Sequence, residues 1–306
     1  MARGAKRKHD MRFGWIWVFC TCLTLAHAKP RHAAKVGGLQ IMEKSVFSQG
    51  EAYERFMGRW SRALVPHFIA FCNVHDGESI LDVGSGTGSL ALGLGAVMPD
   101  CRITGIDPAK SYVSYAQSRT HNRRIRFEIG DGQQLRFPDR SFDKTLSLLV
   151  LNFVPDPPRA VTEMIRVTRP GGVVAAAVWD YAEGMEMLRI FWDQAVALDS
   201  TADSRDERHM PFCGKGELAT LWRERGLLQV EETSLTVPLV FSSFENYWSP
   251  FLGGQGPAGS YVVSLRLEQR LHLEQRLRNR LLTRGKEGLI TLKARAWAVK
   301  GLVPSP

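Results

Sequence analysis

The sequence predicts an α/β fold: a mostly parallel seven-stranded sheet with helices on both faces and a helical insertion before the last strand. Three observations predict it. Short apolar strand patterns alternate with helical ones from residue 51 onward, a glycine-rich turn follows the first strand, and five of the eight residues over 144–151 are apolar. Parallel strands need crossover connections, usually helices, and a strand covered on both faces reads as a continuous apolar run.

The first helix is expected over 51–72, where Phe56, Trp60, Leu64, Phe68 and Phe71 fall near helical spacing. A strand over 79–83 runs into the glycines, and a helix over 87–97 follows. The second strand is expected at 102–106, the next helix at 110–119 and the third strand at 125–129. After the central strand at 144–151, a helix begins near Pro158, where proline suits a first turn. It stops before Pro170-Gly171-Gly172, and a fifth strand covers 173–179. Helices near 185–198 and 215–225 precede two last strands at about 228–241 and 289–299. Roughly forty-five residues separate those strands, too many for a plain connection, so 242–288 reads as a helical lid insertion.

A chain of 306 residues with 44% hydrophobic and 23% charged side chains can bury one large core or a core plus an appendage. Its net charge of +9 is concentrated at one end. Residues 1–41 hold Arg3, Lys6, Arg7, Lys8, Arg12, Lys29, Arg31 and Lys35 against Asp10 alone, leaving the rest nearly neutral. No nucleic-acid partner is expected from such a body. The same segment has a basic start, an apolar stretch over 13–28 and Ala26-His27-Ala28, the layout of a secretory signal. The apolar stretch is shorter than the ~20 residues of a spanning helix, so no stable membrane span is expected. Residues 1–41 are read as a signal-like or non-functional extension, with one domain over 42–306 and a cytoplasmic location; export is the alternative if 1–28 acts as a signal peptide. The cysteines Cys20, Cys22, Cys72, Cys101 and Cys213 form no C-x-x-C pair, so neither a metal site nor a disulfide framework is expected.

The glycine turn is Asp82-Val83-Gly84-Ser85-Gly86-Thr87-Gly88. A dinucleotide fingerprint, G-x-G-x-x-G, would need glycine at position 89, which is Ser89. Asp82 at the strand end would repel a pyrophosphate but neutralise the ammonium of an amino-acid tail. S-adenosyl-L-methionine carries such a tail and no phosphate. Gly84 and Gly86 allow close backbone approach, and the helix from near Thr87 offers amide donors to a carboxylate. Asp107 closes the second strand about 20 residues on, the spacing that suits ribose hydroxyls, and it can also cap the next helix. Pro108 ends that strand. Asp131-Gly132-Gln133 follows the third strand, where an acid can accept from an adenine amino group, or simply form a polar turn.

Residues 80–90, Asp107, Asp131-Gly132, Phe142-Asp143 and Arg166-Val167-Thr168-Arg169-Pro170-Gly171-Gly172 together resemble the class I methyltransferases. Within that class the chain is similar to the type-11 methyltransferase domain and the quinone-biosynthesis C-methyltransferases. The stretch at 53–62 and the end at 294–299 resemble one bacterial subgroup, extending the likeness over 50–301. The resemblance implies a Rossmann-like sheet with S-adenosyl-L-methionine at the carboxyl ends of strands one to four. Asp82, Gly84, Ser85, Gly86, Thr87 and Gly88 would then surround the methionine moiety. Asp107 with Pro108 would hold the ribose, and Asp131 with Gly132 and Gln133 the adenine. Asn152 and Phe153 sit where the family places a segment beside the sulfonium.

Methyl transfer from a sulfonium is an in-line displacement, so alignment alone can supply ~7–11 kcal/mol. No catalytic base is assigned; His67, His75 and His209 carry no paired signal. The acceptor is expected to be small and partly apolar, in a pocket involving Trp179, Tyr181, Trp248 and Phe251, with Gly253-Gly254-Gln255-Gly256 as a lid loop. The arginine-studded leucine helix near 265–282 is read as a solvated face. Two other classes stay open: a non-catalytic S-adenosyl-L-methionine-binding module and a dinucleotide-dependent oxidoreductase.

Overall fold

The structure is a computed structural model that describes residues 50–282 and 287–305. The expected extension over 1–41, with Cys20 and Cys22, lies outside the described residues.

Seven strands form one sheet in the order β3-β2-β1-β4-β5-β7-β6. They are β1 (Ser79–Val83), β2 (Arg102–Asp107), β3 (Ile125–Ile129), β4 (Phe142–Leu148), β5 (Thr168–Trp179), β6 (Leu228–Phe241) and β7 (Ile290–Leu302). The first five are parallel, and β7 runs antiparallel between β5 and β6. The helices are α1 (Arg59–Phe71), α2 (Ser89–Val97), α3 (Lys110–Ser118), α4 (Pro157–Val167), α5 (Glu186–Leu198), α6 (Glu217–Glu224), α7 (Phe244–Trp248), α8 (Gly256–Ser264) and α9 (Leu267–Leu281). The predicted fold class is the one found.

From β1 the chain steps through α2 and α3 toward β3, then returns to β4 and steps the other way through α4 to β5. Right-handed crossovers therefore place α2 and α3 on one face and α4 on the other. The direction reverses between β1 and β4, and the crevice beyond their carboxyl ends is where such sheets bind ligands. β1 fits that central position because Ile80, Leu81 and Val83 are all buried.

Among the boundaries that differ from expectation, two bear on the site. The apolar run at 144–151 stops being strand at Leu148, because Leu149 adopts a left-handed φ of 66° and Leu151–Phe153 form a short turn of helix. Leu149 and Leu151 are apolar because they are buried beyond the end of the strand. Strand β5 starts at Thr168, since Thr168 pairs with Phe142 across an irregularity that takes in Pro170-Gly171-Gly172. Helix α4 opens as expected on Pro157 and Pro158, with the Asp156 carboxylate accepting from the Arg159 amide at 3.1 Å.

The insertion between β6 and β7 holds α7, α8 and α9. Its anchor is aromatic: Phe251 stacks on Phe191 of α5 at 4.7 Å and meets Phe56 edge-on at 5.3 Å. The Tyr247 hydroxyl donates to the Met187 carbonyl at 3.0 Å. Cys72, Cys101 and Cys213 are buried free thiols. Among the described residues no helix is long and apolar enough to cross a membrane, and no metal-ligating cluster occurs.

Candidate cofactor and acceptor site

Asp82 lies one residue before the end of β1 and is only 1% exposed. Neither carboxylate oxygen has a hydrogen-bond partner among the described residues. Burial pushes its pKa up to about 7; nearby Asp107 adds to the rise, while the Ala91 amide, close but outside hydrogen-bond geometry, moderates it. A buried acid with no donor is rare and points to a partner that arrives from outside the chain.

The glycines beyond it differ in purpose. Gly84 has φ +76°, and a Cβ there would lie 2.4 Å from the Val150 side chain, so packing at the β1–β4 crevice requires glycine. Gly86 also has positive φ, at +52°, yet a Cβ there would meet nothing within 4 Å. It borders open space. The Gly84 and Ser85 amides both donate to the Ile106 carbonyl at 2.8 Å, which ties the turn to β2. The Ser85 hydroxyl is buried without a hydrogen-bond partner among the described residues. Gly88 packs on Phe127 and precedes α2, which starts at Ser89 rather than at Thr87.

Asp107 ends β2 and is buried. One oxygen accepts from the Ala109 amide at 2.8 Å and the other from the Gly86 amide at 3.0 Å. Burial raises its pKa, and those two amides hold the rise back. Each oxygen keeps further acceptor capacity. Beside it lies a cavity of about 350 Å³ lined by Pro108, Ile129, Gly130, Asp131, Gln134 and Arg136. The Asp131 carboxylate accepts from the Gln133 amide at 2.9 Å and from the Gln133 side chain. The Gln133 carboxamide oxygen in turn accepts from the Asp156 amide at 2.9 Å. Gly132 backs onto Val83.

The N-terminal helical segment, in which the sequence pointed to no cofactor residue, covers the turn. The single π-helical turn Glu54–Gly58 precedes α1. Its Glu54 carboxylate accepts from the Thr87 hydroxyl at 2.5 Å, lies 3.5 Å from Arg119 and pairs with Arg62. A Cβ at Gly58 would collide with that carboxylate, so the glycine makes room for it. Tyr53 and Tyr112 have ring centroids 5.7 Å apart, and both phenols lie within electrostatic range of Asp107.

On the other side of the sheet end, the Asn152 carboxamide nitrogen donates to the Met210 sulfur at 3.3 Å, and its oxygen is buried without a hydrogen-bond partner among the described residues. Phe153 is partly exposed, whereas Trp179 is buried. The buried Tyr181 phenol is raised well above its ordinary range by desolvation, with Glu207, Cys213 and Tyr53 in electrostatic range. Glu207, also missed from the sequence, is 3% exposed and accepts from the Trp192 indole and the Ala258 amide of α8. Burial pushes its pKa up to about 7. Trp248 and Phe251 sit inside the aromatic cluster with Phe191 and Tyr247. The structure thus gathers Asp82, Gly86 and Asp107 closely, with Asp131 one strand further along. It sets Asn152 and Tyr181 against the 207–213 segment, with Trp248 and Phe251 deeper in the packing.

The methyltransferase domain family matches residues 81–176, from β1 through most of β5. Demethylmenaquinone methyltransferase of Geobacillus kaustophilus is 30% identical over 174 residues, covering 52% of this chain and 74% of the relative. The chain belongs to the class I S-adenosylmethionine-dependent methyltransferases. Another relative is the 2-methyl-6-phytyl-1,4-hydroquinone methyltransferase of a Synechocystis species, 28% identical over 59% of this chain and 56% of its own length. Among solved structures, the YcgJ protein of Bacillus subtilis superposes with a TM-score of 0.54 at 19% identity, over 79% of this methyltransferase and 99% of that chain. That likeness concerns the fold alone. The family assignment sets aside the dinucleotide oxidoreductase as a reading of the glycine turn.

Proposed function

We propose that this methyltransferase binds S-adenosyl-L-methionine at the carboxyl ends of β1 to β3 and methylates a small, partly apolar acceptor. The observation that carries the reading is Asp82: a buried acid with two unpartnered oxygens, next to a turn that opens onto free space at Gly86. The residues present fit the cofactor. Asp82 would neutralise its ammonium, the turn at Gly84 to Gly88 would admit its amino-acid tail, and the free acceptor capacity of Asp107 would take the ribose hydroxyls. Asp131 and Gly132, with Gln133 bracing the loop, would meet the adenine edge. When bound, the cofactor supplies an activated methyl group on a sulfonium.

The chain's own contribution is then alignment and exclusion of water. Asn152 and Phe153 follow β4, and Trp179 and Tyr181 lie at the end of β5, where they would flank the acceptor. Trp248 and Phe251, buried in the aromatic cluster, would brace the insertion rather than touch the acceptor, which we take to carry a ring or short hydrocarbon part. The two quinone-related relatives methylate acceptors whose names imply such a part, which supports this choice. No residue is assigned as base, because displacement at a sulfonium needs one only when the acceptor must lose a proton.

The test is transfer of labelled methyl from S-adenosyl-L-methionine into a metabolite extract of the host. Label in a small, solvent-extractable product is expected. Binding of the cofactor with no labelled small molecule would contradict the acceptor class.

A further inference from the structure

The cavity beside Pro108 has one charged wall that the cofactor residues above do not use, Arg136. Its guanidinium makes no hydrogen bond, ion pair or ring contact with any described residue. The acid that lines the same cavity, Asp131, is already engaged by Gln133. The backbone on both sides of Arg136 is nonetheless clamped. Arg166 donates to the Leu135 carbonyl and to the Phe137 carbonyl, each at 2.9 Å. The Leu135 amide donates to Glu163 at 2.8 Å, and Glu163 also pairs with Arg166. Leu135 is buried and Phe137 packs edge-on against Phe142 at 5.1 Å, so both neighbours of Arg136 are anchored inward. A free cationic head therefore stands on a fixed root and faces a cavity.

The other walls say what that cavity takes. Ile129, 55% exposed, and Pro108 give the same cavity an apolar lining. A cavity lined by a free guanidinium and by aliphatic side chains suits a neutral aromatic ring system, which can gain cation–π or stacking contact from the one and apolar contact from the other. A second cationic group would be repelled there. We propose that Arg136 is a further wall of the cofactor site that stacks on the purine base and selects for it. This rests on the cofactor reading given above. It adds a residue outside the acidic turn at Asp131, and it acts through the ring face rather than the hydrogen-bonding edge.

Isothermal titration of the full chain with S-adenosylhomocysteine and with adenosine tests it. Arg136→Ala is expected to weaken both ligands by about fivefold to twentyfold, the size of a partly desolvated cation–π contact. Arg136→Lys is expected to recover little, because an ammonium keeps the charge but not the plane. Thermal melting of both variants should match the parent. Unchanged affinity in Arg136→Ala, or full recovery in Arg136→Lys, overturns the proposal while leaving the cofactor reading intact. If the unaltered chain binds no S-adenosylhomocysteine, the cofactor reading falls and this one with it.

Discussion

Lowering the pH from about 7.5 to about 5.5 protonates Asp82, the carboxylate at the end of β1 that makes no hydrogen bond with any described residue. Asp82 titrates near 7 in the free protein because it is desolvated and has Asp107 close by. A protonated Asp82 cannot neutralise an ammonium, so binding of S-adenosylhomocysteine must be coupled to loss of that proton. Below the pKa, affinity then falls by up to tenfold per pH unit, or roughly 20- to 30-fold over this range. Asp82→Asn should bind roughly 10- to 100-fold more weakly at pH 7.5, the size of a charge-assisted hydrogen bond, and should lose the slope. Stability moves the other way. A raised carboxylate pKa costs the unliganded fold nothing below the ordinary value near 4, and the cost grows until about pH 7. Asp82→Asn should therefore raise the melting temperature at pH 7.5 and give no advantage near pH 4. Calorimetric titration across the pH series, with melting curves on the same samples, reads both effects. A flat profile in the unaltered chain, or a slope that survives in Asp82→Asn, would refute the assignment.

The glycines offer a contrast. Gly86→Ala should fold with a loss of only about 1 kcal/mol from its left-handed φ yet lose most cofactor affinity, whereas Gly84→Ala should destabilise by about 1–3 kcal/mol through Val150. Combining Gly84→Ala with Val150→Ala should recover part of that loss in melting experiments. Asp107→Ala should weaken S-adenosylhomocysteine by more than about tenfold and lower stability by about 1–3 kcal/mol, since the Ala109 and Gly86 amides lose their acceptor. Glu207→Ala strands the Trp192 indole and the Ala258 amide and should cost about 2–4 kcal/mol, seen as a lower melting temperature. An unchanged melting temperature would show that Glu207 does not brace the insertion.

What could be read in advance was what is local. The strands at 79–83 and 228–241 were legible to the residue, because an apolar or alternating pattern runs straight into a turn signal at each end. The glycine turn and Asp107 were legible because backbone conformation and strand-end position are written in residue type. Boundaries set by distant partners were not. β5 begins at Thr168 only because Phe142 is there to pair with, and the run past Leu148 stays apolar because Leu149 and Leu151 are buried beyond the end of β4. Glu54 was invisible for the same reason: its partner Thr87 lies 33 residues away, and nothing in its neighbourhood marks it as more than a helix-surface acid. Glu207, set between Asp206 and Arg208, reads as solvated polar sequence, yet the fold buries it.

The most direct test of the central claim is calorimetric titration of the full chain with S-adenosylhomocysteine and, separately, with NAD at pH 7.5. Saturable binding of S-adenosylhomocysteine that Asp82→Asn weakens, and no binding of NAD, is the predicted result. Binding of NAD without S-adenosylhomocysteine would contradict it.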